Sequence, residues 1–314
     1  MINTNTKSLL QENFQISQVA PKDLKEYIKQ NLDIFALWIH FDTYLSEDYI
    51  DVLKKIPYLI TTTTGLTHIN KEIIKMYGDK LIRLQSDSFA LSQVSSTAEL
   101  AWLFIMLSNN HVDKAFQSVN SGSWNRQTNL REQQLSSLTL GIVGYGRLGK
   151  MVANFARSFK MKVLVHDIDP KKTRLATTDG FTCATSVEDM LQECDVLSLH
   201  ANVLEESQKL ITETNLSLLT KPLALINTAR ASLVDEDAIL SEISKRPFLN
   251  YYTDVLDFEE NGTNLTSSKL WIKSLDSDRI YITPHIGGAN KEAIEICEKE
   301  LLNTLIILSE VATA

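Results

Sequence analysis

Short apolar runs alternate with amphipathic segments along most of the chain, a rhythm that predicts alternating strands and helices. Asp33 to His40 is apolar without alternation, the pattern of a strand buried on both faces. Glu47 to Lys55 reads as a helix, with Tyr49, Ile50, Leu53 and Ile56 at helical spacing, Ser46 as the expected N-cap and Pro57 as the stop. Tyr58 to Thr63 is the next strand, broken by Gly65. Asn70 to Tyr77 reads as a helix and Leu81 to Leu84 as a strand. This alternation predicts a small parallel α/β domain up to about Ser96.

Ser95 to Glu99 then opens a strongly apolar helix, with Ser96 and Glu99 spaced as a capping box. Its weak amphipathicity predicts burial on most sides, a second subunit being one candidate cover. His111 to Ser137 is polar and lacks strong periodicity, with Trp124 as its main anchor. It reads equally as a surface connection or as an arm around a partner chain. From Leu138 onward, strands are expected at Leu138–Val143, Lys162–Asp167, Asp195–His200, Ala224–Thr228, Tyr251–Val255 and Ile280–Thr283. Lys291 to Glu310 forms a long helix with Ile294, Cys297, Leu301, Leu305 and Leu308 on one face. If it returns to the N-terminal domain, that domain is discontinuous.

Gly144-Tyr145-Gly146-Arg147-Leu148-Gly149 completes G-x-G-x-x-G between the strand ending at Val143 and the helix that follows. The first glycine allows the turn, the second lets backbone approach a pyrophosphate, and the third lets the helix pack close to the strand. The helix start then offers N–H groups and a positive dipole end to phosphate oxygens. Roughly twenty residues on, the next strand ends in Asp167, where this fingerprint calls for an acid to hold the ribose hydroxyls. A carboxylate there repels a 2′-phosphate, so the cofactor reads as NAD. Lys171, Lys172 and Arg174 are nearby cations that would suit a 2′-phosphate instead.

Composition narrows the partners. A net charge of −8 and the absence of basic runs argue against nucleic acid or an anionic membrane. Cys183, Cys194 and Cys297 are far apart, fit no metal spacing and read as reduced thiols of a cytoplasmic protein. Met1 to Lys7 has no apolar signal core, and the Ala98–Leu107 run is too short to span a bilayer. The protein is expected to be soluble, with no metal.

The second half carries several motifs in a recognisable order. After the glycine loop come Asp195-Val196-Leu197-Ser198-Leu199-His200, then Leu225-Ile226-Asn227-Thr228-Ala229-Arg230-Ala231-Ser232-Leu233-Val234-Asp235-Glu236. Asp254-Val255-Leu256-Asp257-Phe258-Glu259 and Thr283-Pro284-His285-Ile286-Gly287-Gly288-Ala289 follow. In this order the chain resembles the D-isomer-specific 2-hydroxyacid dehydrogenases, a family that includes phosphoglycerate, D-lactate, glyoxylate/hydroxypyruvate and formate dehydrogenases. The resemblance runs from about Ile34 onward.

It implies an α/β protein of two doubly wound domains with the active site in their cleft. Residues 97–288 would be a Rossmann NAD-binding domain. Residues 1–96, with the returning helix 289–314, would be a smaller, discontinuous, flavodoxin-like substrate domain. The resemblance also implies interconversion of a small D-2-hydroxy acid and its 2-oxo acid. His285 is then the general acid/base, Glu259 the carboxylate paired with it, and Arg230 the grip on substrate carboxylate and reacting oxygen. His200, Thr228 and Ala229 would join the glycine loop and Asp167 around the cofactor, with Asp254 near the nicotinamide carboxamide. Gly65 and Leu66 would offer N–H groups to the substrate carboxylate.

Three departures from the family pattern bear on this reading. No proline follows Glu259, so Glu260 is a second candidate for its place, although spacing from Asp254 favours Glu259; Ala231 stands where glycine is usual. His40-Phe41-Asp42 follows the first strand where phosphate-binding relatives often place arginines, which favours an unphosphorylated substrate. Trp38, Phe41 and Tyr44 are candidates for an apolar pocket. A homodimer through the NAD-binding domain is expected. The alternatives are a phosphoglycerate dehydrogenase, or a non-catalytic NAD(H)-sensing protein on the same fold.

Overall fold

The computed structural model describes residues 2–41, 43–85, 88–127, 133–202, 209–261 and 264–313; Asp42 lies outside them. The chain divides into two compact units, Met1–Val94 with Ala289–Ala314, and Ser95–Gly288.

The smaller unit holds β1 (Ala36–Ile39), β2 (Tyr58–Thr61) and β3 (Leu81–Arg83), parallel and in the order β1-β2-β3. Its helices are α1 (Thr4–Asn13), α2 (Leu24–Gln30), α3 (Ile50–Leu53), α4 (Lys71–Tyr77) and α5 (Phe89–Ser92). β2 stops two residues short of the run read from sequence. The Thr61 hydroxyl accepts from Thr63 N–H, and the Thr63 hydroxyl donates to the Gly65 carbonyl at 2.7 Å, so side chains there take over from the ladder. Ser46 stands at the N-cap, as expected, but of a 3-10 turn, Glu47–Tyr49, that precedes α3, and its hydroxyl donates to Asp48 in place of accepting a backbone N–H. The C-terminal helix, Lys291–Thr313, lays Ala293, Cys297, Leu301, Leu302 and Leu305 against Leu10, Ile60, Ile82 and Leu91 of this same unit. Trp38 packs on that cluster as core.

The larger unit carries α6 (Ser96–Asn110), α7 (Val112–Asn120), β4 (Thr139–Val143), α8 (Arg147–Ser158), β5 (Lys162–His166), α9 (Pro170–Thr178), β6 (Thr182–Cys183) and α10 (Val187–Glu193). Next come β7 (Val196–Leu199), α11 (Glu213–Leu216), β8 (Leu223–Asn227), α12 (Glu236–Lys245), β9 (Leu249–Thr253), α13 (Asp257–Asn261), α14 (Lys269–Ser274) and β10 (Ile280–Ile282); the C-terminal helix is α15. The seven strands are parallel in the order β10-β9-β8-β7-β4-β5-β6, the doubly wound arrangement with its reversal between β4 and β7. Strand residues alternate between two cores. Leu197, Leu199, Leu223 and Leu225 face one, while Val196, Ala224 and Ile226 face the other. Each fully buried leucine or isoleucine contributes about 1.5–3 kcal/mol.

Two sequence expectations change here. α6 has no capping box; Ser95 is its N-cap residue and donates its hydroxyl to Glu99 at 2.5 Å. Nor is α6 buried on most sides. Ala98, Ala101, Phe104 and Ile105 form one buried face, while Leu103 is half exposed. By length and composition Phe89–Asn110 is apolar enough to cross a membrane. It is interrupted at Gln93–Ser95, however, and α6 buries its inner face in the core of the larger unit. The polar stretch after His111 contains α7, whose Val112, Phe116 and Val119 share one exposed face. Trp124 is 91% exposed and is not the anchor expected of it among the described residues.

Candidate active site

The glycine loop lies at the sheet reversal, where a crevice opens at the carboxyl ends of β4 and β7. Gly144 has φ +96°, and a Cβ there would sit 2.6 Å from the Ala201 nitrogen and 2.7 Å from the His200 carbonyl carbon. A Cβ on Gly149 would lie 2.0 Å from the Gly144 carbonyl oxygen, so α8 approaches β4 only because that atom is missing. Gly146 faces open space and is the N-cap of α8, with no side chain to occupy the first-turn N–H groups. Arg147 and Leu148 form that first turn.

Asp167, just past β5, accepts from Tyr145 N–H at 2.7 Å and Asp169 N–H at 2.9 Å, with Lys172 Nζ at 3.9 Å. Its carboxylate is thereby tied to the glycine loop. Tyr145 contributes only backbone there. Its ring is buried and its hydroxyl donates to Asp179 at 2.8 Å; burial and that carboxylate raise the phenol far above its usual range. His200 Nε2 is 2.9 Å from Ser198 Oγ, and burial pushes this imidazole down to about 4, so it is neutral at physiological pH.

Register aligns Asn227 with Thr253 and Thr253 with Ile282, so the residues following β8, β9 and β10 emerge at one edge of the sheet. The buried Asn227 shapes the first turn. Its side-chain amide donates to the Arg230 carbonyl at 2.9 Å, and its Oδ1 accepts from Ala229 N–H at 3.1 Å. Arg230 Nη1 donates to the Ala229 carbonyl at 2.6 Å. The Thr228 hydroxyl is buried and has no hydrogen-bond partner among the described residues. Ala231 is 1% exposed and has no positive φ, so alanine occupies the usual glycine position without left-handed strain.

Glu259 lies on α13, where its Oε1 accepts from Leu256 N–H at 2.8 Å and its Oε2 is 2.5 Å from His285 Nδ1. The carboxylate meeting the histidine is therefore that of Glu259, in keeping with the spacing from Asp254. His285 holds φ +51°, an uncommon conformation for a residue with a side chain, and donates its N–H to the Thr283 carbonyl. Asp254 makes that turn possible. Its Oδ1 accepts from the Thr283 hydroxyl at 2.5 Å and Ile286 N–H at 2.8 Å, and its Oδ2 accepts from Gly287 N–H at 2.7 Å. Asp254 is 1% exposed, and burial raises its acid against the opposing pull of these donors. Asp254, expected near the nicotinamide carboxamide, thus braces the histidine loop. Three donors between residues 283 and 287 share this one carboxylate, and spacing alone does not reveal that.

In the smaller unit, Gly65 and Leu66 follow β2. Neither of their N–H groups donates to an acceptor among the described residues. His68 Nε2 is 3.3 Å from the Thr61 hydroxyl beneath this loop, Phe41 packs on the His68 ring, and Arg83 Nη1 donates to the Thr64 carbonyl at 3.2 Å. Tyr44 is half exposed nearby in sequence. No cluster of three metal-ligating side chains occurs among the described residues.

Residues 102–287 match the family model for the NAD binding domain of the D-isomer specific 2-hydroxyacid dehydrogenases. A hydroxypyruvate reductase of Thermotoga maritima is 26% identical over 279 residues, spanning 87% of this chain and 86% of that protein. A D-3-phosphoglycerate dehydrogenase of Haemophilus influenzae is 28% identical over 274 residues; the match takes in 87% of this chain but 63% of that longer protein. Among solved structures, a D-lactate dehydrogenase from Aquifex aeolicus, complexed with NAD and lactic acid, superposes with a TM-score of 0.77 at 24% identity, covering 98% of this chain and 94% of that one.

Proposed function

Since the chain belongs to the D-isomer specific 2-hydroxyacid dehydrogenase family, whose members are NAD-dependent oxidoreductases, we propose that it reduces a small unphosphorylated 2-oxo acid to the D-2-hydroxy acid. The observation that carries this reading is the 2.5 Å contact between Glu259 Oε2 and His285 Nδ1, at the same sheet edge as Arg230. NAD fits the residues present: among the described residues the Gly146 face is open, no side chain caps the α8 N-terminus, and the buried Thr228 hydroxyl has no hydrogen-bond partner. When bound, its nicotinamide supplies the hydride that reduction adds to the substrate carbon.

The chain's own residues manage the proton and the charge. With Nδ1 held by Glu259, His285 carries its exchangeable proton on Nε2 and delivers it to the carbonyl oxygen as that oxygen gains charge. Arg230 offers a planar cationic fork to the carboxylate and the same oxygen. Asp167 disfavours a 2′-phosphate, and Lys172 lies against that carboxylate.

The test is NADH oxidation with glyoxylate, hydroxypyruvate, pyruvate, longer 2-oxo acids and 3-phosphohydroxypyruvate. Turnover with an unphosphorylated acid is expected. Preference for the phosphorylated acid would favour the second reading, for which Arg83 at the Thr64 carbonyl is a candidate cation. NADH binding without turnover of any acid would favour the non-catalytic alternative.

We further infer a cytoplasmic homodimer formed through the exposed face of α7. Phe116 is 66% exposed, Val119 51% and Trp124 91%, an apolar set that water alone covers poorly. Phe116→Asp is expected to convert the dimer to monomer in analytical ultracentrifugation. A variant that sediments as a dimer would exclude this face.

A further inference from the structure

Glu236 is the first residue of α12, yet its carboxylate serves another helix. Its Oε1 accepts, at 2.8 Å, the backbone N–H of Asp257, the first residue of α13. The first N–H groups of a helix have no partner within it, so an acceptor from elsewhere determines where the helix begins. α13 has five residues, too few to hold itself by cooperative hydrogen bonding. Glu259 lies two positions after Asp257. On the other side, Glu236 follows the turn in which Leu233 N–H donates to the Arg230 carbonyl at 3.3 Å. One carboxylate therefore connects the segment bearing Arg230 to the helix bearing Glu259.

We propose that Glu236 is a positioning residue for the acid/base pair: by accepting from Asp257 N–H it sets the start of α13 and so holds Glu259 against His285. This rests on the catalytic reading of Glu259 and His285 given above. The charge environment sets the controls. Burial lifts the Glu236 acid to about 7; the Asp257 N–H opposes that rise, Asp257 and Asp237 add to it, and Lys209 opposes it, while Tyr251 faces the same carboxylate from β9. A variant that removes the charge could thus alter a pH profile without moving α13.

Two substitutions separate these effects. Glu236→Gln removes the charge and keeps an amide oxygen acceptor, while Glu236→Met fills a similar volume and leaves only a weakly accepting thioether. In full-length protein, Glu236→Met is expected to lower kcat for 2-oxo acid reduction about tenfold, with a smaller change in KM, as a displaced catalytic group does. Its alkaline limit of reduction should move to lower pH, in the same direction as in Glu259→Gln. Glu236→Gln, which keeps the acceptor, should hold kcat close to wild type even where loss of the charge moves the pH limit. Glu236→Met with a wild-type profile, or Glu236→Gln as impaired as Glu236→Met, would overturn the positioning role. If Glu259→Gln itself leaves the profile unchanged, the catalytic reading fails and takes this inference with it. If Glu259→Gln shifts the profile and Glu236→Met does not, only the positioning role is lost.

Discussion

Replacing Arg230 with alanine is expected to lower kcat/KM for 2-oxo acid reduction by about 10²–10³-fold, the usual cost of removing a donor aimed at developing oxygen charge. Both terms should suffer. The guanidinium would bind the ground-state carboxylate, which enters KM, and the oxygen that gains charge during reaction, which enters kcat. NADH affinity, followed by fluorescence titration, should change little, because the loop at Gly144–Gly149 and Asp167 belongs to other strands of the sheet. The fold should persist, since the turn is held by the Asn227 side chain through the Arg230 and Ala229 backbone. Normal steady-state kinetics in this variant would remove Arg230 from the site.

The second large effect is expected at His285, and the choice of substitution matters. At φ +51°, alanine would add backbone strain to the loss of the imidazole, whereas asparagine tolerates the left-handed region. His285→Asn therefore isolates the chemistry. Loss of a general acid typically lowers kcat by about 10²–10⁴-fold, and that is the result expected, with NADH binding and thermal unfolding close to wild type. Retention of more than a tenth of the wild-type kcat, in an estimate scaled to that range, would exclude His285 as the proton donor. The same variant tests Asp254 indirectly. Its carboxylate accepts from the Thr283 hydroxyl and from Ile286 and Gly287 N–H, donors the substitution leaves in place, so the loop should stay ordered when the imidazole is gone.

Much of this was legible in contiguous residues. The glycine loop is one case: a φ of +96° at Gly144 and a 2.0 Å approach at Gly149 are demands only glycine meets, so the requirement is written into the sequence itself. Strands β4, β7 and β8 were equally readable, because a sheet buried on both faces leaves unbroken apolar runs. β6 was not. Its two residues, Thr182 and Cys183, are too few to show a period and are strand only by pairing with Leu164 and Val165. α7 was legible in principle through Val112, Phe116 and Val119 at positions i, i+4 and i+7, but the polar residues around them hid the stripe. The capping box at Ser96 failed for the opposite reason, since the motif was present and the helix began one residue earlier than it required, with Ser95 as its N-cap.

By itself, then, the sequence determined a dinucleotide loop, an acid at the end of the next strand, and the motif order in which Arg230, Glu259 and His285 occur. Those are local requirements of backbone and side-chain type. Only the tertiary structure decided between Glu259 and Glu260 at His285, and only it shows Asp254 accepting from the histidine loop and Glu236 accepting from the first N–H of the helix carrying Glu259. The reason is physical. Each of these contacts joins chain segments that register and packing bring to one edge of a parallel sheet, and no spacing along the chain encodes which carboxylate oxygen will find which N–H.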